Sequence, residues 1–484
     1  MSDATQFPEV FESPLARRNA SPEMAAIWSP RRRFLTWRRI WLALAESQHE
    51  LGVPIPADAL EAMRRTLDQL DARAAEAHEA RLRHDVMAHV HAWGDVAPAA
   101  RGIIHLGATS QDVVCNADTL LLRDALQLVA RKLAQLVDRT ATFASTWRAQ
   151  PTLGYTHFQP AQPVTVGKRA TLWGQDFALA LAEVESRLDG LRLRGFRGAT
   201  GTQASYLALF KGDAAAVDRM EAAVAARLEW PAERTWTVVG QTYPRLVDAQ
   251  LLSALAVAAA AIHKAANDLR LLAHLKEVEE PFESEQVGSS AMPYKRNPMR
   301  CERATGLARL VMSLAPGAFD TASTQWMERT LDDSSHRRVA IPEAFLALDG
   351  ALDVMVNVLG GLVVHPKVIE AHLAAELPFM VTEDLLMAMA KAGADRQEAH
   401  EMIRRHAHAA GARVKEEGLP NDLLERLAAD PLVRRTGVDP ARVADASALV
   451  GLAASQVDAF VSRVAEPIRA RYRPHLAREP RLRV

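Results

Sequence analysis

Ser289, Lys295 and Asn297 stand close together in PFESEQVGSSAMPYKRNPMRCER, residues 281–303. Their types suit removal of a proton beside a carboxylate. A serine that accepts the proton leaves a carbanion whose charge spreads onto carboxylate oxygens, and a cation and an amide donor stabilise that charge. Gly288, Pro293 and Pro298 forbid a continuous helix here, so the spacing predicts a mobile lid between helical flanks. Taken alone, such a stretch is more often a solvated Gly-Ser turn followed by surface cations.

Further segments carry chemistry-bearing types. PTLGYTHFQPAQPVTVGKR, residues 151–169, sets His157 among Thr156, Gln159 and Gln162 in a turn before a helix. Histidine is the natural general acid near neutral pH, although a lone turn histidine more often only hydrogen-bonds. RLRHDVMAHVHAWG crowds Arg83, His84, Asp85, His89 and His91 together. Helical spacing would align His84 with His91 and Asp85 with His89, but no HExxH and no cysteine pair completes a metal site, so anion binding or proton handling is the better reading and no metal is expected. Thr109 and Ser110 precede a leucine-rich tract, where hydroxyls cap a helix or hold an anion at its positive end. No GxSxG, GxxxxGK[ST] or GxGxxG is present, which removes the usual supports of nucleotide hydrolysis and hydride transfer.

These segments interrupt a helical pattern. Leu122, Leu126, Val129, Leu133 and Leu136 repeat at spacings of four and three, as do Leu251, Leu255, Ala258, Ile262, Ala265, Leu269 and Leu272. Trp173, Phe177, Leu181, Val184 and Leu188 mark a third helix, and the residues after Ile341 a fourth. No segment shows the β-branched, period-two pattern of a sheet, so the fold is expected to be all-α. Breaks divide the chain into an N-terminal helical domain, residues 1–110, a central long-helix bundle, 111–364, and a C-terminal helical domain, 365–484. The chain has 484 residues, 49% hydrophobic, with 58 Lys and Arg against 59 Asp and Glu. That balance offers no field for a polyanion or an anionic bilayer, so neither nucleic acid nor membrane is expected as a partner. With two cysteines, no apparent leader, and LLSALAVAAAAI too short to span a bilayer, a cytoplasmic protein is expected.

GSSAMPYKRNP, residues 288–298, resembles the GSSxMPxKxNP loop of the fumarase/aspartase superfamily. PTLGYTHFQPAQPVTVGKR, RHDVMAHVH, GATGTQASY, QWMERTLDDSSHRR and LPFMVTED are similar to segments of adenylosuccinate lyases, in the branch that includes the animal enzymes. The resemblance runs from about Ser13 to the early 420s. It implies a three-domain, all-α homotetramer with active sites shared between subunits and no cofactor. The implied reaction eliminates fumarate from adenylosuccinate to give AMP, and from the succinylcarboxamide ribotide SAICAR to give AICAR, in purine biosynthesis. By resemblance Ser289 is the general base, His157 the general acid and Glu302 the residue that orients it. Lys295, Asn297, Thr109 and Ser110 would hold the succinyl carboxylates. Arg18, Arg83, His84, Asp85, Gln241, Arg303, Arg329, Ser334 and Arg338 would bind the nucleotide side.

Two positions depart from the pattern: Asn19 stands where the family has Tyr after Arg, and Cys115 where it commonly has an acid. The residues alone also admit another superfamily lyase, such as argininosuccinate lyase or a carboxymuconate cycloisomerase, or a structural oligomer that has lost chemistry.

Overall fold

The computed structural model describes residues 11–283, 286 and 291–482. Its centre is a bundle of long helices: α3 (Ser110–Thr146), α4 (Val166–Gly190), α5 (Leu246–His274), α6 (Met299–Ser323) and α7 (Asp333–Gly360). The packing is cyclic, α3 on α4, α4 on α5, α5 on α6, α6 on α7 and α7 on α3, with α5 also touching α7. The leucine seams explain it. Leu126, Val129, Leu133 and Leu136 of α3 and Leu255, Ala258, Ile262 and Ala265 of α5 have no exposed surface. Small residues on α5 let its neighbours approach closely, and α6 and α7 bury Ala304, Ala308, Ala344 and Ala347 in the same way.

Two expectations change. The helix that carries LLSALAVAAAAI runs from Leu246 to His274, and by length and composition alone it could cross a membrane. Its apolar face is instead packed in the bundle. The chain also contains strands: β1 (Pro151–Thr156) pairs antiparallel with β2 (Gln159–Thr165), and β3 (Val278–Glu279) pairs with β4 (Val363–Val364). Two prolines in β2 hide its periodicity, and Gly154 marks a bulge where an added Cβ would lie 2.4 Å from the Gln162 carbonyl oxygen.

Before the bundle, α1 (Pro30–Glu50) and α2 (Asp85–Val96) pack their tryptophans into the main core. After it, α8 (Pro366–Met380) leads to a satellite core of Leu385, Met389, Ala399, Met402, Leu423 and Leu427, separate from the main one. The helices Ala453–Phe460 and Glu466–Leu476 then return, and Val457, Phe460 and Ile468 join the bundle core.

The histidines of α2 do different things. His89 stacks on Phe34 with ring centroids 3.8 Å apart and meets Trp37 edge-on at 5.5 Å. Burial, then the Arg38 charge, outweigh Asp85 and lower its pKa from 6.5 to about 4. His89 is therefore neutral in the folded protein, whereas the unfolded chain takes up that proton below about pH 6.5. Its stabilising contribution is complete above that pH and is lost as pH falls towards 4. His89→Phe should flatten the decline in melting temperature between pH 6.5 and 4 relative to the unsubstituted protein; parallel declines would contradict this.

Candidate active site

A broad groove at one end of the bundle gathers much of the expected nucleotide side. Its lining includes Arg83, His84, Asp85, Thr109, Ser110, Gln241, Arg329, Ser334 and Arg338, and its volume is about 1070 Å³. Several of these side chains are placed by helix ends. Arg83 ends the helix Ala72–Leu82 in a left-handed conformation, φ 55°, and His84 caps α2 by accepting the Met87 N–H at 3.4 Å. Thr109 is the N-cap of α3 and Ser110 its first residue, with the Ser110 Oγ 3.4 Å from His84 Nε2. Ser334 and Arg338 lie on the first turns of α7, so the positive ends of α2, α3 and α7 open on one space.

Arg338 donates to Asp85 at 2.5 Å. Burial raises the Asp85 pKa, but the Arg338 hydrogen bond and charge, the Val86 N–H and His84 together hold it below the ordinary carboxylate value. Gln241 accepts from Arg329 Nη1 at 3.2 Å and donates to the Ala199 carbonyl at 3.2 Å. Arg329 also donates to Asp333 at 3.3 Å.

Behind the groove lies a set of buried acids and arginines that sequence reasoning did not assign. Asp112 accepts from Thr109 N at 2.8 Å, Arg197 N at 2.9 Å, Gly198 N at 3.1 Å and the Tyr206 hydroxyl at 3.0 Å, and is paired with Arg194. Arg194 donates in turn to the carbonyls of Gly198 at 2.7 Å and Gly240 at 3.0 Å, the latter beside Gln241. Asp333 binds Arg245 at 2.6 Å, and Arg337 joins Asp248 at 2.5 Å to Asp118 at 3.2 Å. The Thr109–Asp112 capping box was a readable signal for Asp112. Nothing in sequence paired Asp112 with Arg194. The run around Asp332 and Asp333, which composition would leave on a solvated helix face, instead buries Asp333 to 1% exposure.

The remaining expected residues sit elsewhere. His157 and Phe158 form the two-residue turn between β1 and β2, both left-handed at φ 53° and 56°, and both exposed. Lys295 is exposed, and Asn297 lies two residues before α6. Glu302 is 3.9 Å from Arg270, an exposed contact, and is not joined to His157 in this chain. Arg303 and Arg18 are close enough for the Arg18 charge, after burial, to lower the Arg303 pKa. Ser289 lies outside the described residues. Glu280 accepts from Arg300 N and Cys301 N at 3.0 Å at the start of α6, and Glu279 pairs with Arg296 at 3.3 Å. Of the departures, Asn19 donates to the Pro14 carbonyl at 3.2 Å, and Cys115 is buried with its thiol donating to Gln111 at 3.2 Å.

Residues 19–313 match the family described as Lyase, and residues 378–460 match the adenylosuccinate lyase C-terminus. The solved 3-carboxy-cis,cis-muconate lactonizing enzyme of Pseudomonas putida is similar in fold, with TM-score 0.81 and 25% identity over 95% of this chain and 99% of that one. Bundle, matched family and fold together define a lyase of the fumarase/aspartase superfamily. Within it, the chain is 50% identical to the adenylosuccinate lyase of Saccharomyces cerevisiae over 94% of each chain. It is 44% identical to that of Schistosoma mansoni over 97% of this chain and 98% of the other. The chain belongs to the adenylosuccinate lyase family.

The contrast between buried and open pairs yields a stability test. Asp112→Ala strands the buried Arg194 charge and should lower unfolding free energy by roughly 3–5 kcal/mol. Arg338→Ala, at a half-exposed pair, should change it by no more than about 1 kcal/mol. Equal losses in urea denaturation would contradict the burial argument.

Proposed function

We propose that the protein cleaves adenylosuccinate to AMP and fumarate, and SAICAR to AICAR and fumarate, without a redox cofactor. The observation that carries the reading is the groove in which Arg83, His84, Thr109, Ser110, Gln241, Arg329, Ser334 and Arg338 meet at helix N-termini. Guanidinium groups and helix ends of this kind suit a phosphate and carboxylates on one ligand.

In this reading Ser289 removes a proton from the succinyl β-carbon, and the electron pair is held on the adjacent carboxylate as an aci-carboxylate. Lys295 and Asn297 stabilise that charge. The pair then forms the carbon–carbon double bond of fumarate as the C–N bond breaks, and His157 protonates the departing nitrogen. Serine serves as a base only where water is excluded and donors favour the alkoxide.

The geometry of one chain also supports shared sites. α3 alone spans roughly 55 Å at 1.5 Å per residue, with the Thr109 groove at its start and the His157 hairpin beyond its end. In this reading His157 serves a groove on another copy. Leu172 and Leu179 of α4, Val257 and Leu271 of α5 and Leu310 and Phe319 of α6 are exposed on the outside of the bundle, as expected for helices that pack against other copies. A homotetramer is the assembly we propose.

Purified protein should consume adenylosuccinate, read as loss of the substituted purine's absorbance with fumarate recovered by chromatography. Ser289→Ala should lower turnover by roughly 100- to 10,000-fold while the assembly stays intact. Turnover unaffected by Ser289→Ala would overturn the base assignment. Cleavage of argininosuccinate in place of both purine substrates would overturn the substrate assignment.

A further inference from the structure

The hairpin that carries His157 poses a positioning problem. A two-residue turn with both central residues left-handed normally uses Asn-Gly, yet this one uses His157 and Phe158. A conformation of this kind persists only where its surroundings over-determine it. Within one chain the tip is exposed, so the constraint which that chain itself applies lies at the foot.

There the hairpin meets two other parts of the chain. Glu277 follows α5 and is buried with no exposed surface. His372, on α8, lies with Nδ1 2.9 Å from Glu277 Oε1, and the buried Thr152 hydroxyl of β1 donates to Oε2 at 3.5 Å. The Glu277 carbonyl accepts the His365 N–H at 2.9 Å, where β4 passes into α8. Arg169 of α4 donates to the Leu153 carbonyl of β1 and lies over the Tyr155 ring at 5.9 Å, while the Tyr155 ring lies 5.8 Å from that of Phe158. Burial lowers the Arg169 pKa and Glu277 works against that, which places the two charges in each other's field; Tyr155 and Asp268 act in the same sense as Glu277. α8 packs on both strands of the hairpin.

We infer that Glu277, held by His372 of α8 and Thr152 of β1, is a positioning residue for His157, so that helix α8 of the C-terminal region sets where the acid stands. The inference rests on His157 being the general acid. Among the described residues, Glu277 has no hydrogen bond or ion pair to the groove or to the Lys295 segment. Its carboxylate joins the bundle end, the hairpin foot and α8, and a shift of α8 is carried through β1 to the tip.

The test uses the full-length assembled protein and a double-mutant cycle. Glu277→Gln keeps the shape and removes the charge; it should lower kcat by roughly 10- to 100-fold and leave KM for adenylosuccinate within about threefold. In a His157→Ala background the same change should cost less than about twofold more, because it acts through a side chain already removed. His372→Gln, at a partly exposed position, gives a second cycle with the same expectation should Glu277→Gln fail to assemble. Full multiplication of the two losses, or an unchanged kcat in both single variants, would overturn the positioning role. If His157→Ala alone keeps the unsubstituted turnover, the acid assignment fails instead, and the two failures are distinguishable.

Discussion

The length of the helices is the constraint on which the rest depends. A helix rises only 1.5 Å per residue and cannot fold back on itself, so residues at the two ends of α3 or α7 are held far apart. The chain puts Thr109, Ser110, Gln241, Arg329, Ser334 and Arg338 at one end, and His157, Glu302 and Arg303 at the other. Rigid leucine and alanine packing makes that separation permanent. The bundle carries exposed apolar side chains on its outer helices, and in the assembly proposed above one chain's hairpin meets another's groove.

Within each end, precision comes from charge buried away from water. A carboxylate in the interior requires donors on every side, and those donors fix the backbone that supplies them. Asp112 ties the start of α3 to the loop 195–203 and, through Arg194, to the residue before Gln241. Asp333 does the same for Arg245 and Arg329 at the start of α7. None of these acids needs to touch a ligand. They hold Thr109, Gln241 and Arg329 at fixed places so that their donors face the groove before anything binds.

Much of this was legible in the sequence, for physical reasons that also explain what was not. The seams through Leu126 and Leu255 expose helix and partner face together, because burial repeats with the helical period. Helix α6 carries Pro316 and broken periodicity, and no seam announced it. The β1–β2 hairpin escaped because its turn uses His-Phe and its second strand holds Pro160 and Pro163. Groove residues could be named one segment at a time, from capping positions and resemblance. Their meeting in space could not, since a pairing such as Asp85 with Arg338, 253 residues apart, leaves no local trace. Nor could their separation from His157, which follows from helix length and direction rather than from residue type.

The central claim is that an active site forms only between copies. The most direct measurement mixes inactive His157→Ala and Ser289→Ala proteins, allows subunits to exchange under mild dissociation, and follows adenylosuccinate cleavage with exchange verified independently. The account predicts that activity returns in the mixture and in neither parent alone, because some hybrid sites then draw His157 from one chain and Ser289 from another. Verified exchange with no recovery would contradict it.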